Sequence, residues 1–375
     1  MPGLAETIAQ LNRLRRSDGT AGSAGPGTLS EVMQFGSNPG ALRMWTHVPA
    51  GLRAGAPLVV ALHGCTQTAA AYDHGAGWST LADRHGFAVL LPEQQRANNP
   101  NLCFNWFQPG DTAGGGGEAL SIRQMVAHMV LHHRMDPRRV IVTGLSAGGG
   151  MVASLLAAYP DVFAGGAIIA GLPAGAATTM PMAFQAMAGT RTDTARGWGD
   201  IVRAASPHRG PWPRVQVWQG DADATVKAEN AAELVKQWAD VHGLSPAPNI
   251  TDTLDGARHE AWHGRAGLTV LERFTIPGLG HGTPLDTQSS DADHAAGAAG
   301  PFMLEAGISS TWHIAQAFGL LTVAPQPAVR RATAPRPQAA GTPAFTLPAA
   351  ARLVPAPVAE TIGKALRAAG LLPGR

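Results

Sequence analysis

A serine becomes a useful nucleophile only when a base can take its proton, and Ser146 in this 375-residue chain stands where that chemistry can be built. It is the centre of Gly144-Leu145-Ser146-Ala147-Gly148, a G-x-S-x-G pentapeptide. The apolar run RVIVT directly precedes it, and GGMVASLLAAYP, with a helical pattern, directly follows. A nucleophile of this kind belongs at a sharp strand-to-helix turn. The glycines suit the turn, because a side chain at Gly144 or Gly148 would collide with neighbouring backbone. Ser146 Oγ is therefore expected at the carboxyl edge of a sheet, over a helix N-terminus whose dipole favours developing negative charge.

The base needs an orienting acid, and in this arrangement the chain order is serine, acid, histidine, with acid and histidine each in a loop after a strand. The run RVQVWQG leads into Asp221-Ala222-Asp223-Ala224-Thr225-Val226, and LERFTIP leads into Gly278-Leu279-Gly280-His281-Gly282. Of fourteen histidines, His281 is singled out by glycine on both sides, which would let its loop carry the imidazole over Ser146. Asp223 is favoured as the acid because it lies further past its strand. Asp221 reads as a turn-former binding nearby amides. An oxyanion hole needs two backbone N–H groups. Ala147 supplies one, and Cys65, in the loop His63-Gly64-Cys65, is the candidate for the other. His63 then holds the loop and does not act as a second base.

Two other patterns invite chemistry. His259-Glu260-Ala261-Trp262-His263 matches H-E-x-x-H, a zinc signature that works only on a helix. Gly256, Gly264 and Gly267 leave room for fewer than two turns, so no metal is expected there. The glycine run 114–117 is followed by no Lys-Ser/Thr and reads as a mobile loop, not a phosphate cradle. No cofactor is called for.

The elements that must position these residues are legible as alternation. Nearly all-apolar runs at 57–64, 87–93, 139–146, 165–173 and 214–220 suit parallel strands buried on both faces, with a last strand at 268–278. Helical patterns fall at about 77–85, 118–134, 147–159, 227–241 and 307–319. EVMQFGS and ALRMWTHVP, around Asn38-Pro39-Gly40, suggest two antiparallel strands and a turn. The expected class is α/β: an α/β-hydrolase fold with a mostly parallel, doubly wound sheet and helices on both faces. Its expected extent is 29–322. An amphipathic helix and flexible join precede it at 1–28, a Pro/Ala-rich linker follows at 323–354, and a short helix ends the chain at 355–375.

Composition excludes some partners. Hydrophobic residues make up 45% and charged residues 14%, and the net charge is +2 with Lys and Arg scattered, so a large core is expected and nucleic acid is not. No apolar run reaches the ~18 residues of a membrane span. The amino-terminal segment lacks the shape of a signal peptide, which reads as cytoplasmic. The two cysteines, Cys65 and Cys103, leave a single disulfide or two buried thiols both open. The oligomeric state is not legible.

Assembled in order, LHGCTQTA, LADRHGFAVLLPEQ, NPNLCFNWFQP, GEALSI, DPRRVIVTGLSAGGGM, YPDVFAG, WQGDADATV, IPGLGHGTPLD and GISSTWHIAQAFGL resemble the esterase family named for poly(3-hydroxybutyrate) depolymerases, over roughly 30–320. The resemblance implies Ser146 as nucleophile, Asp223 as acid, His281 as base, and Cys65 and Ala147 as oxyanion donors. It also implies a Cys65–Cys103 disulfide beside the site and Trp106 near the acyl chain. Phe104 and Phe107 complete an aromatic patch expected to meet substrate. Many relatives are exported, so an extracellular location is the alternative. The expected activity is hydrolysis of hydroxyalkanoate polymers or oligomers through an acyl-enzyme, with a polyester or small ester as the binding partner. The alternatives are a feruloyl or acetyl-xylan type esterase and, from another class, a silent binding protein on a hydrolase scaffold. Gly282-Thr283-Pro284 lacks the Trp-Pro often found in carbohydrate-directed relatives.

Overall fold

The computed structural model describes residues 29–322. The segments expected to form the terminal helices and the Pro/Ala-rich linker lie outside them. Strands β1 (Ser30–Val32), β2 (Arg43–His47), β3 (Leu58–Leu62), β4 (Ala88–Glu93), β5 (Val140–Leu145), β6 (Gly165–Ile169), β7 (Arg214–Gly220), β8 (Ile250–Leu254), β9 (Ala257–His263) and β10 (Thr269–Ile276) form one sheet. Their order is β1-β2-β4-β3-β5-β6-β7-β10-β9-β8. The middle of the sheet, from β4 to β10, is parallel. β1 and β2 extend it antiparallel on one side, β9 and β8 on the other. A separate parallel pair, β11 (Thr283–Leu285) and β12 (Met303–Glu305), lies beyond it.

The central strands are apolar throughout because both faces are covered. Leu58, Val60 and Leu62 of β3 enter one core, while Val59 and Ala61 enter the other. The longest helices, α3 (Gly117–His133), α4 (Ala147–Ala158) and α7 (Glu229–His242), line the first core. α1 (Ala69–Ala76), α2 (Trp78–His85) and α8 (Ser310–Ala317) line the second. This is the expected doubly wound arrangement, and the predicted strands and helices overlie the observed ones within a few residues.

α1, α5 (Met180–Met187), α6 (Ala195–Ala205), the β8–β9 hairpin and the β11–β12 pair lie outside the expected elements. β10, expected to be the last strand, is the last of the main sheet in chain order, and β9 and then β8 lie outside it. The hairpin turn is Asp255-Gly256, with φ of 47° and 81°. Asp-Gly is a strong hairpin signal, because such turns need positive φ at both positions. β9 also settles the conformation of the H-E-x-x-H segment. It is a strand, so His259 and Glu260 face opposite ways and His259 and His263 stand about 13 Å apart at ~3.3 Å per residue.

Candidate active site

Ser146 lies between β5 and α4 with φ 58° and ψ −116°, a conformation an L-residue adopts only when its surroundings enforce it. Its amide donates to Ile169 O at 2.9 Å, which pins the turn to β6. The two glycines are steric necessities. A Cβ at Gly144 would lie 2.7 Å from Gly148 C and 2.9 Å from Leu62 Cβ; one at Gly148 would lie 2.5 Å from Leu62 O. α4 can therefore sit against the end of β3, and the loop leaving β3 reaches the amino end of α4.

The loops after β7 and β10 bring the other two groups to Ser146. Ser146 Oγ donates to His281 Nε2 at 2.9 Å, and His281 Nδ1 donates to Asp223 Oδ2 at 2.7 Å. Asp223 is buried and well supported. Its Oδ1 accepts the amides of Thr225 and Val226 at 2.8 and 2.9 Å, and its Oδ2 accepts Gln219 Nε2 at 3.1 Å. Burial alone would raise its carboxyl, but the His281 ring and the two amides together hold it below the ordinary carboxylate range. Asp221 has a different task from local turn formation: it accepts the Gly278 amide at 2.6 Å, across to the histidine loop. Ala222 N donates to Leu279 O at 3.1 Å beside it. Gly220 permits this approach, since a Cβ there would lie 2.2 Å from Leu279 O.

The glycines flanking His281 are unequal. A Cβ on Gly280 would meet nothing within 4 Å, so the freedom expected of that position is not used. Gly282 is needed for packing: its Cβ would fall 2.8 Å from Phe302 O and Leu304.

The amide of Ala147 opens α4, where helix geometry leaves it without an intrahelical acceptor. On the opposing loop, His63 is buried, accepts the Gln94 amide at Nε2 (3.1 Å) and donates from Nδ1 to Gly64 O (2.8 Å). Burial pushes its pKa down, so it is a neutral strut and not a second base. Cys65 and Cys103 are joined as a disulfide.

The aromatic patch is buried in one core. Trp106 and Phe107 are 6% exposed and meet edge to face at 5.7 Å. Trp106 packs on Gly150, four residues after Ser146, where a Cβ would lie 2.8 Å from the indole. Phe104, expected to meet substrate, is 0% exposed, with its ring 4.9 Å from that of His63. It is a core residue under the loop and offers no surface to a ligand. The sequence shows an aromatic cluster but not which ring turns inward.

The H-E-x-x-H residues are held by ion pairs. His259 lies between Asp252 (2.8 Å) and Glu272 (3.2 Å), and Glu260 pairs with Arg258 and Arg273. Among the described residues no group of three or more His, Cys, Asp or Glu side chains gathers as a metal-ligand set.

One group near the site escaped the sequence reading. Glu118, at the start of α3, is fully buried. Its carboxylate accepts Gln94 Nε2 at 2.6 Å, Asn105 Nδ2 at 2.7 Å and Asn105 N at 2.9 Å. Burial pushes its pKa up to about 8, against the pull of those donors. A carboxylate directly after a glycine run and before an apolar helix was the available signal.

A strained strand-to-helix turn bearing Ser146 on a mostly parallel sheet, with a histidine and an aspartate delivered from later loops, defines the class: an α/β-hydrolase. The particular family follows from comparison. Residues 44–260 match the Esterase PHB depolymerase family, and the chain belongs to it. Poly(3-hydroxyalkanoate) depolymerase C of Paucimonas lemoignei is 48% identical over 294 residues, 78% of this chain and 70% of that one. An acetylxylan esterase of Coprinopsis cinerea is 34% identical over 265 residues, covering 69% of this chain and 70% of that one. The solved acetyl xylan esterase from Aspergillus awamori superposes with a TM-score of 0.63 at 29% identity, covering 68% of this chain and 94% of that chain. The protein is a carboxylic ester hydrolase.

Proposed function

We propose that Ser146, His281 and Asp223 form the catalytic triad of a serine esterase that cleaves hydroxyalkanoate esters, as polymer or oligomer. The continuous hydrogen-bonded relay, 2.9 Å from Ser146 to His281 and 2.7 Å from His281 to Asp223, carries the reading. His281 takes the Ser146 proton as Oγ attacks the ester carbonyl. The imidazolium so formed is stabilised by the buried Asp223 carboxylate. The amides of Cys65 and Ala147 receive the negative charge on the carbonyl oxygen. Collapse expels the alcohol, which takes the proton from His281, and leaves an ester on Ser146. A water activated by His281 then attacks that ester and releases the acid and the free serine.

Three observations support a hydroxyalkanoate substrate over a sugar ester or ferulate. The depolymerase relative shares 48% identity. The residues following the histidine are of no use to a sugar, because Thr283 is fully buried in β11. The tyrosines are also unavailable: Tyr72 is buried, and Tyr159 caps the far end of α4. Neutral chains suit the apolar neighbourhood that Trp106, packed on Gly150, and Phe107 beside it give the site. The solved acetyl xylan esterase keeps the carbohydrate reading as the alternative. A disulfide beside the site supports an oxidising compartment over the cytoplasm.

The test is kcat/KM for hydroxybutyrate dimer and trimer esters against methyl ferulate and acetylated xylan under one set of conditions. A hydroxybutyrate preference is expected. A tenfold preference for ferulate, ~1.4 kcal/mol in transition-state binding, would reverse the assignment.

A further inference from the structure

Glu118 touches neither Ser146 nor His281, yet it gathers the residues around the acyl side of the site. Through Asn105, which gives it both a backbone and a side-chain donor, it holds the residue next to Trp106. Through Gln94 it holds a side chain that also donates to Cys103 O at 3.1 Å and, from its backbone amide, supports the His63 ring at 3.1 Å. Cys103 is in turn bonded to Cys65. The loop that presents Trp106 and the loop that presents the Cys65 amide are thus referred to one buried carboxylate.

The two loops are also joined directly, by the disulfide and by the Thr66 amide, which donates to Asn101 O at 2.7 Å. The carboxylate adds fixed donors on both its oxygens, and the donors cannot adapt to a different partner. Asn105 Oδ1 already accepts Asn99 Nδ2 at 2.9 Å. Gln94 Oε1 already accepts the Gln95 amide at 2.9 Å and Asn98 Nδ2 at 2.8 Å. Turning either amide over would break these bonds, so three fixed donors face the two oxygens of Glu118, and an amide in its place would set N–H against N–H.

Building on the triad and oxyanion-hole reading above, we propose that Glu118 is a positioning residue for the reaction, setting the Cys65 N–H at the place where the carbonyl oxygen becomes negative. Its effect belongs to the transition state, because the oxyanion hole is matched to the developing charge and not to the ground-state ester.

The experiment compares wild type, Glu118→Gln and Asn105→Ala on a short soluble ester, with active sites titrated. It also measures Ki for a trifluoromethyl ketone, whose adduct with Ser146 carries an oxyanion. In Glu118→Gln one amide hydrogen must face a donor whichever way the side chain turns. The kcat per titrated site should fall by about tenfold or more, KM should change little, and Ki should rise by the factor lost in kcat/KM. Asn105→Ala keeps the backbone donor and should show the same pattern at smaller size. Wild-type kcat and Ki in Glu118→Gln, or a loss explained wholly by fewer titratable sites, would overturn the proposal. If that variant does not fold, unchanged kinetics in Asn105→Ala would overturn it instead. Ser146→Ala, run alongside, separates the two levels: turnover surviving there defeats the triad reading itself, whatever Glu118 does.

Discussion

The Asp221 carboxylate accepts the Gly278 amide at 2.6 Å, so the loop bearing Asp223 and the loop bearing His281 are fastened together outside the relay. The two aspartates therefore differ in kind. In the proposed mechanism Asp223 meets the charge that forms on His281, whereas Asp221 holds the loops in register. Asp223→Ala should lower kcat/KM by about 10⁴, near the loss seen for the acid of other triads. Asp221→Ala should cost about tenfold or less, because the Ala222 and Leu279 backbones still pair. Kinetics of both variants on one ester check this, and the opposite ranking would show that the acid was misassigned.

Removal of the nucleophile or base should be far more damaging. Ser146→Ala and His281→Ala are each expected to lose on the order of 10⁶ in kcat, since triad members act as a unit. Both should fold, as neither side chain supports a core. Circular dichroism with single-turnover kinetics is the check, and near-normal turnover in either variant would end the triad reading.

The glycines beside His281 give a sharper contrast. A methyl group on Gly280 meets nothing within 4 Å, so Gly280→Ala should retain stability and activity within a few-fold. On Gly282 it strikes Phe302 O and Leu304 at 2.8 Å. Overpacking of that kind costs roughly 1–3 kcal/mol, and here it would also push the histidine loop off Ser146. Urea unfolding and kcat for the two variants, made side by side, decide it; equal tolerance would mean that the β11 end of the loop yields freely.

How much of this was legible depended on whether burial left a periodic mark. β3, β5 and β7 are covered on both faces and so appear as short apolar runs. Ser146 was visible because Gly144 and Gly148, demanded by close approaches within the turn and to the end of β3, flank it in sequence. α6 was hidden, because ARGWGDIVRAA carries two glycines and three charged residues that weaken a helical reading. β8 presents mostly polar, exposed residues and borrows its order from β9. Glu118 and Asp221 were invisible as partners because their contacts, Gln94, Asn105 and Gly278, come from other segments. The inward turn of Phe104 likewise depends on His63, a residue 41 positions away.

Acidification should weaken the fold through buried histidines. His242 donates from Nε2 to Pro213 O at 3.0 Å, and burial pushes its pKa from 6.5 down to about 4. The unfolded chain takes up this proton near 6.5 while the folded chain refuses it until about 4, so stability falls as pH drops through that window. His63 acts in the same sense. His259 opposes them, since Glu272 and Asp252 raise its pKa against the cost of burial. The difference between variants is therefore the proper measure. In urea unfolding at pH 7 and pH 5, His242→Gln should lose less stability on acidification than the wild type. An equal loss would assign the acid sensitivity elsewhere.

Reduction of the Cys65–Cys103 bond should separate stability from turnover. The bond spans 38 residues and closes a loop that includes α1, α2 and β4. The chain-entropy argument gives ~4 kcal/mol for a loop of that length, exerted mainly by restricting the unfolded chain. Thermal unfolding with and without reductant should therefore show a clear fall in Tm. Turnover should respond less. Gln94 still binds Cys103 O, Asn105 still binds Glu118, and His63 still rests on the Gln94 amide, so the Cys65 loop keeps supports that do not depend on sulfur. At a temperature well below the reduced Tm, kcat should fall by no more than about tenfold, ~1.4 kcal/mol, with KM nearly constant. The double variant Cys65→Ala/Cys103→Ala should behave as the reduced protein does, because the expected oxyanion donor at position 65 is a backbone amide that alanine retains. A collapse of activity to the level of Ser146→Ala in that folded double variant would show that the disulfide, and not the carboxylate network, sets the geometry of the oxyanion hole.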